Sequence, residues 1–282
     1  VVLWLLLGYR SPAIAGLWGI VLALAMSLFQ GKWRPNQIKL YRAVEEGFYL
    51  VAVLSLLLIA IGPLGQVMLT TNLSGRLGAA LVQYLPDNQL LLLLGAMVVS
   101  LILGMGLPTP VAYIIVALAL VPFMQQIGVA PLQAHFFVFY FAVFSTLTPP
   151  VAVSVLAAGK LAGSTFLATS GDALRIAATT FIIPFAFVYS PELMSFPNMT
   201  WDVVPPLLEV LGIQFTASVA GYGYYQRALV GWERWVFAVI ALAGFFNMTL
   251  GDAIYLYVGL GLFIAMTVYL VISRKADRAA AA

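Results

Sequence analysis

The sequence predicts an all-α polytopic membrane protein, built of transmembrane helices that include broken helices and a re-entrant hairpin. Three observations predict it. Hydrophobic residues make up 63% of the 282 residues and charged residues only 8%, about a third of the charge of a soluble domain. A chain so poor in charge cannot cover its surface for water, so lipid is its solvent. The charges are also bunched: none occurs from Ser11 to Gly31, from Gly47 to Gly75 or from Ala253 to Ser273. Finally, two Gly/Pro/Thr-rich breaks interrupt the longest charge-free stretch.

That stretch, between Asp87 and Lys160, holds 72 residues with His135 as the only ionisable side chain apart from tyrosines. A helix crosses a hydrocarbon core of about 30 Å with about 20 apolar residues, so there is room for several passes. The short alternating segments of a transmembrane barrel are absent. In order, the apolar segments are 1–9, 13–29, 47–70, 88–127 and 135–159, the last two interrupted, then 176–190, 203–220, 235–251 and 253–273. The run Val1–Tyr9 has neither a basic leader nor a cleavage pattern, so it is not read as a signal peptide. With no initiator Met, the chain is expected to be the C-terminal portion of a longer protein that begins part-way through a span.

The connector 30–46 carries Lys32, Arg34, Lys39 and Arg42 beside Trp33 and Tyr41. It reads as a cytoplasmic segment lying at the interface, by the positive-inside and aromatic-belt rules. The tail, with Arg274, Lys275 and Arg278, belongs on the same side. Counting back from it, two crossings return Arg227 and Arg234 to the cytoplasm. One more puts the loop Glu192–Asp202, which has no Lys or Arg, outside, and another brings Lys160 and Arg175 inside. Between 47 and 160 the crossings should be even in number, with four expected unless hairpins enter and leave one face. The net charge of +3 follows these topological positions, and no nucleic-acid partner is expected. Cysteine is absent, which excludes disulfides, thiolate metal sites and cysteine nucleophiles.

The first break is Gly104-Met105-Gly106-Leu107-Pro108-Thr109-Pro110, and the second Ser145-Thr146-Leu147-Thr148-Pro149-Pro150. Proline removes backbone donors and glycine costs a helix about 1 kcal/mol per position. In hydrocarbon an unpaired backbone group costs several kcal/mol, so irregular chain survives only where protein or water surrounds it. Each break therefore lines a cavity or forms a hairpin tip, or else is a tight turn between two spans; residues 88–127 would extend about 60 Å as one helix, enough for two passes. Broken helices expose carbonyls and hydroxyls that can ligate Na⁺, and amide ends that can hold an anion.

The stretch Leu103–Thr109, followed by Ala112-Tyr113-Ile114, resembles the large membrane subunit of TRAP transporters, most closely the fused permeases of the TAXI subfamily. Ala134–Ala142 and Thr148-Pro149-Pro150-Val151-Ala152 resemble the same family in the same order. The likeness runs from about residue 36 to 194, and 196–275 is similar to the extra C-terminal membrane region of some fused permeases. The resemblance implies a sodium-driven secondary importer of the bacterial inner membrane, fed with organic-acid-type substrates by a periplasmic binding protein. It implies an elevator-type transport domain of two inverted repeats, of which this chain holds the second. Three regions follow: 1–46, the N-terminal span and basic connector of a truncated upstream region; 47–194, the second-repeat transport region; and 195–282, the appended membrane region and tail.

On the resemblance, Gly104, Gly106, Thr109 and Thr148 contribute to a sodium site, and Pro108, Thr109, Thr146, Thr148 and Pro149 to the substrate cavity. The Ser-Gly-Ser-type motif of the family's first repeat is not found, and Asn72-Leu73-Ser74-Gly75 is not a match in context. The chain alone is therefore not expected to transport.

Among single residues, one histidine cannot assemble a His-based metal site, and His135 reads as a capping or interfacial residue. Lys160 reads as snorkelling to the cytoplasmic face, although it follows the Pro-Pro break and could attract an anion. Glu209 is an acid inside an apolar span, a position that marks functional candidates; a structural role in the appended region is the other reading. Asp252 is assigned to a turn. Asn72, Asn198 and Asn247 begin N-x-S/T triplets without meaning in a bacterial setting. No G-x-S-x-G, H-E-x-x-H or phosphate-loop motif occurs, so neither catalysis nor ATP-driven transport is expected. The alternative to a transporter portion is a non-transporting membrane scaffold. A passive channel would need a ring of like charges or a repeated filter sequence, and neither is present.

Overall fold

The structure, a computed structural model, describes residue 5 and residues 11–29, 35–85, 88–195 and 200–280. The run Val1–Tyr9 (apart from Leu5), the connector residues Lys32, Trp33 and Arg34, the boundary residue Asp87 and the triplet at Asn198 lie outside the described residues.

The chain divides into two compact units, 1–60 and 61–282. The first holds α1 (Pro12–Leu28) and the beginning of α2 (Gln37–Thr70). Ser11 caps α1 through its Oγ, which accepts from the Ile14 N–H at 3.3 Å. The Asn36 side chain caps α2 by accepting from Lys39 N–H at 2.9 Å. The second half of the basic connector is thus helical and continuous with the span that follows, with Lys39 and Arg42 exposed on its first turns.

The second unit contains α3 (Leu73–Tyr84), α4 (Gln89–Gly104), α5 (Thr109–Gln126), α6 (Pro131–Phe144), α7 (Val153–Ala162), α8 (Phe166–Ala178) and α9 (Ile182–Tyr189). It continues through α10 (Val204–Tyr222), a two-residue hairpin of β1 (Tyr224–Tyr225) and β2 (Arg227–Ala228), α11 (Gly231–Leu250) and α12 (Ala253–Ala280). Among the described residues, five helical stretches are long and apolar enough to cross a membrane: Thr109–Gln126, Phe166–Tyr189, Trp201–Tyr222, Gly231–Leu250 and Ala253–Ser273. Their large side chains stay exposed on the outside, Phe215, Trp235, Tyr257 and Ile264 among them. That is an unstable surface in water and the ordinary one in lipid.

The apolar segments predicted at 203–220, 235–251 and 253–273 coincide with α10, α11 and the first part of α12. The segment 176–190 is only the end of a longer helical stretch that starts at Phe166, so Asp172 and Arg175 ride exposed on α8 instead of preceding it. A turn at Thr179–Phe181 separates α8 from α9. At about 24 Å and 21 Å, α4 and α6 fall short of a 30 Å core. By length they do not count among the full spans.

The core of this unit is α5 and α6. Val116, Ala119, Leu120 and Met124 of α5 and Phe137, Val138 and Phe141 of α6 are fully buried. Small residues let neighbours approach: a Cβ on Gly78 of α3 would come within 2.6 Å of the Phe123 ring, and one on Gly95 of α4 within 2.7 Å of Leu81. From α6 a series of edge-on aromatic contacts runs outward. Phe137 and Phe141 meet Phe185 of α9, and Phe185 meets Phe245 of α11 at 5.8 Å.

Candidate functional site

Both sequence breaks interrupt helices. The first is the turn Met105–Pro108 between α4 and α5, which pack against each other as a hairpin. Gly106 adopts φ +74°, open to glycine without strain. The Leu107 N–H donates to the Gly104 carbonyl at 3.3 Å and closes the tip. Pro108 then occupies the cap position of α5 with no side-chain cap, and Thr109 and Pro110 begin the helix. The N–H groups of Thr109 and Val111 therefore have no acceptor within the helix, and the α5 N-terminus is open.

The second break runs from Ser145 to Ala152 between α6 and α7 and contains a cis Pro149–Pro150 bond. Its hydroxyls turn back onto the preceding helix. Ser145 Oγ donates to the Ala142 carbonyl at 2.6 Å, Thr146 Oγ1 to Val143 at 2.8 Å, and Thr148 Oγ1 to Ser145 at 3.1 Å. Each such hydroxyl has used its proton and keeps oxygen lone pairs, the electron donors a hard cation prefers. The far end is tied back by Ser154 N–H, which donates to the Thr146 carbonyl at 3.2 Å.

The structure brings the two breaks together. Gly104 is buried, and a Cβ there would lie 2.6 Å from Ser145 Oγ, 2.9 Å from Ser145 Cβ and 3.3 Å from Ala142 Cα. A Cβ on Gly106 would lie 3.3 Å from Val151 Cγ1. The tip of the α4–α5 hairpin thus rests on both ends of the second break. Thr109, Thr146 and Thr148 are half-buried, while Pro108 and Pro149 are exposed. Among the described residues no hydrogen bond joins Thr109 to Thr146 or Thr148, whose hydroxyls bond locally.

Two features of this locus carried no signal in the spacing alone. Ser145 and Val151 are its contact residues, and only the tertiary approach of the glycines reveals them. Likewise, at the turn Thr179–Phe181 the Thr180 carbonyl accepts from the Ile183 N–H at 3.1 Å and, as a second donor, from Tyr140 Oη of α6 at 3.0 Å. The adjacent pair Thr179-Thr180, whose hydroxyls both bond back to carbonyls three residues earlier, was the available sign of that turn.

His135 does not cap α6. That task falls to Gln133, whose Oε1 accepts from the Ala130 N–H at 3.2 Å. His135 Nδ1 instead pairs with Tyr113 Oη of α5 at 2.9 Å, in a half-buried interhelical contact. Lys160 is exposed in the last turn of α7. Glu209 is half-buried and accepts from Asn247 Nδ2 at 2.5 Å. Asp252 lies in the turn after α11, where Oδ1 accepts from the Ile254 N–H.

Helices long enough to span, a short hairpin and two apposed breaks free of charged side chains define a polytopic membrane protein. A comparison with protein families matches residues 1–200 to the "Tripartite ATP-independent periplasmic transporter, DctM component". The match covers well over half of the chain, and the chain belongs to that family. It is a transporter component and a multi-pass membrane protein of the kind found in the bacterial inner membrane. Such a component works with a periplasmic binding protein and a small membrane subunit. The match also takes in residues before 36, where the motif likeness began, and stops where the C-terminal helices α10–α12 begin. No curated protein and no solved structure matches the chain.

Proposed function

We propose that this permease is part of a sodium-coupled, binding-protein-dependent importer of organic-acid-type solutes, with TAXI-type fused architecture and an elevator mechanism. The observation that carries the reading is the contact of Gly104 and Gly106 with Ser145 and Val151. It joins two stretches of non-helical backbone that spacing alone allowed to be unrelated turns. Hydroxyls and carbonyls at this locus suit Na⁺, which is cargo here and needs oxygen ligands without a resident acidic cluster. On this reading Gly104, Gly106, Thr109 and Thr148 surround the ion. Pro108, Thr109, Thr146, Thr148 and Pro149 face the solute, whose carboxylate is attracted to the uncapped N-terminus of α5. Coupling then follows from charge: the cation offsets the cost of holding an anion in a low-dielectric cavity.

The test is uptake of organic acids into proteoliposomes that hold the complete reading frame, with and without the binding protein, under an inward sodium gradient. Uptake should require both sodium and the binding protein. Thr109→Ala and Thr148→Ala should raise the sodium concentration for half-maximal uptake by about tenfold, the loss of one good ligand at roughly 1.4 kcal/mol. Folded protein that takes up no organic acid under these conditions would establish the scaffold alternative, with both breaks reduced to turns.

A further inference from the structure

Beyond the family match, α10–α12 enclose a cavity of about 440 Å³, within the range of roughly 300–1,000 Å³ typical of ligand sites. Its floor is α11, where Ile240, Gly244 and Asn247 face inward, and its walls are α10 and α12. Gly244 lets α11 pack closely against α10: a Cβ there would fall 2.6 Å from Ile213 Cγ1. The lining is apolar save for Thr216, whose hydroxyl donates to the Gly212 carbonyl at 2.8 Å, and a polar cluster at one end. Glu209 is the sixth residue of α10, Asn247 lies three residues before the end of α11, and Tyr255 two residues into α12. Because α10, α11 and α12 alternate in direction, these three residues share one end of the hairpin, within about 8 Å of the helix termini. That end adjoins the segment 190–202, which has no Lys or Arg.

Glu209 is incompletely satisfied. Its Oε1 accepts from Asn247, but among the described residues Oε2 receives no protein hydrogen bond and no Lys or Arg pairs with the carboxylate. An acid bordering hydrocarbon favours a cationic donor over none. At its deep end the groove is closed off by Phe215 and Phe263, whose rings meet edge-on with centroids 6.5 Å apart. A helix with side chains is about 10–12 Å across and is too bulky for a space of about 440 Å³, whereas a single acyl chain fits along it.

We propose that this groove binds a membrane lipid with a primary-ammonium headgroup, of the phosphatidylethanolamine type. The ammonium donates to Glu209 Oε2 at the interface, and one acyl chain lies along Ile213, Gly244, Gly259 and Leu260 toward Phe215. The carboxylate repels an anionic headgroup such as phosphatidylglycerol. A choline headgroup keeps the positive charge but cannot donate a hydrogen bond, so it ranks between the two.

The full chain, purified in detergent and titrated with phosphatidylethanolamine, phosphatidylcholine or phosphatidylglycerol of matched acyl chains, is read by native mass spectrometry for retained lipid. One phosphatidylethanolamine should be retained at least fivefold better than phosphatidylglycerol, with phosphatidylcholine intermediate. Glu209→Gln should abolish the preference. Leu260→Trp, which fills the groove and leaves the acid in place, should lower retention of all three lipids. Gel filtration and far-UV circular dichroism establish that each variant is folded, and Leu260→Trp still decides the question if Glu209→Gln is not. Equal retention of the three lipids by the wild type, or unchanged retention in a folded variant, overturns the proposal. The readout is independent of transport, so failure of uptake leaves it unaffected.

Discussion

The two breaks and the C-terminal hairpin handle polarity in apolar surroundings in opposite ways. From Asn88 to Gly159 there is no Asp, Glu, Lys or Arg, and polarity comes from interrupted backbone and from hydroxyls that bond locally. In α10–α12 the helices are continuous and polarity comes from charged side chains that are held internally. Glu233 is fully buried, pairs with Arg227 at 2.6 Å and 3.0 Å, and accepts from the Val230 N–H. Arg234 donates to the carbonyls of Ala220 and Gly221 and so covers the end of α10. Backbone and hydroxyl oxygens can exchange one partner for another at small cost, which suits a site that must bind and release. A buried ion pair cannot, because each charge left alone is costly; it fixes a hairpin in place.

Glu233→Ala tests the second half of this contrast and should have the largest effect on stability. It leaves Arg227 without its carboxylate and should cost on the order of 3–5 kcal/mol, seen as a lower thermal midpoint in detergent. The sodium dependence of whatever folded protein remains should be unchanged. A changed sodium dependence would break the contrast by tying the hairpin to transport.

Gly104→Ala tests the first half. The new Cβ collides with Ser145 and approaches the Ala142 backbone, an overpacking cost of about 1–3 kcal/mol. Uptake should fall more than tenfold, and the added change Ser145→Gly should restore part of it. A double variant no better than the single one would mean that the approach of the two breaks is not what uptake requires.

Gly106→Ala should cost less, about 1 kcal/mol for a left-handed φ, with a several-fold drop in uptake. Tyr140→Phe is the mildest: it removes one of two donors to the Thr180 carbonyl, which keeps the Ile183 N–H, and should lower stability by roughly 0.5–1.5 kcal/mol. The thermal midpoint of that variant also sharpens the comparison, because a larger loss would show that broken backbone here depends on side-chain donors as strictly as the hairpin depends on its ion pair.

Much of the fold was legible because composition reports the solvent directly. Lipid-exposed helices such as α10, α11 and α12 need an unbroken run of apolar residues, so their bounds nearly coincide with the apolar segments. The span through α8 and α9 was misjudged at its start, since Asp172 and Arg175 on an exposed helix face look like the end of an apolar run. The candidate site was half legible. Gly104–Pro110 and Ser145–Pro150 announce broken helices, because glycine and proline act on the backbone locally, wherever the rest of the chain lies.

What the sequence by itself determined is therefore the solvent, the helices and the places where they break. Hydropathy and backbone chemistry are properties of each residue and its near neighbours. Only the tertiary structure decided that the breaks meet, that His135 pairs with Tyr113, that Tyr140 completes Thr180, and that Glu209 opens on a groove. Those are contacts between residues 22 to 45 positions apart, from Tyr113 and His135 to Gly106 and Val151. They arise when helices pack with little space between them, and the space left by a glycine on one helix shows its purpose only when the neighbour that fills it is in place.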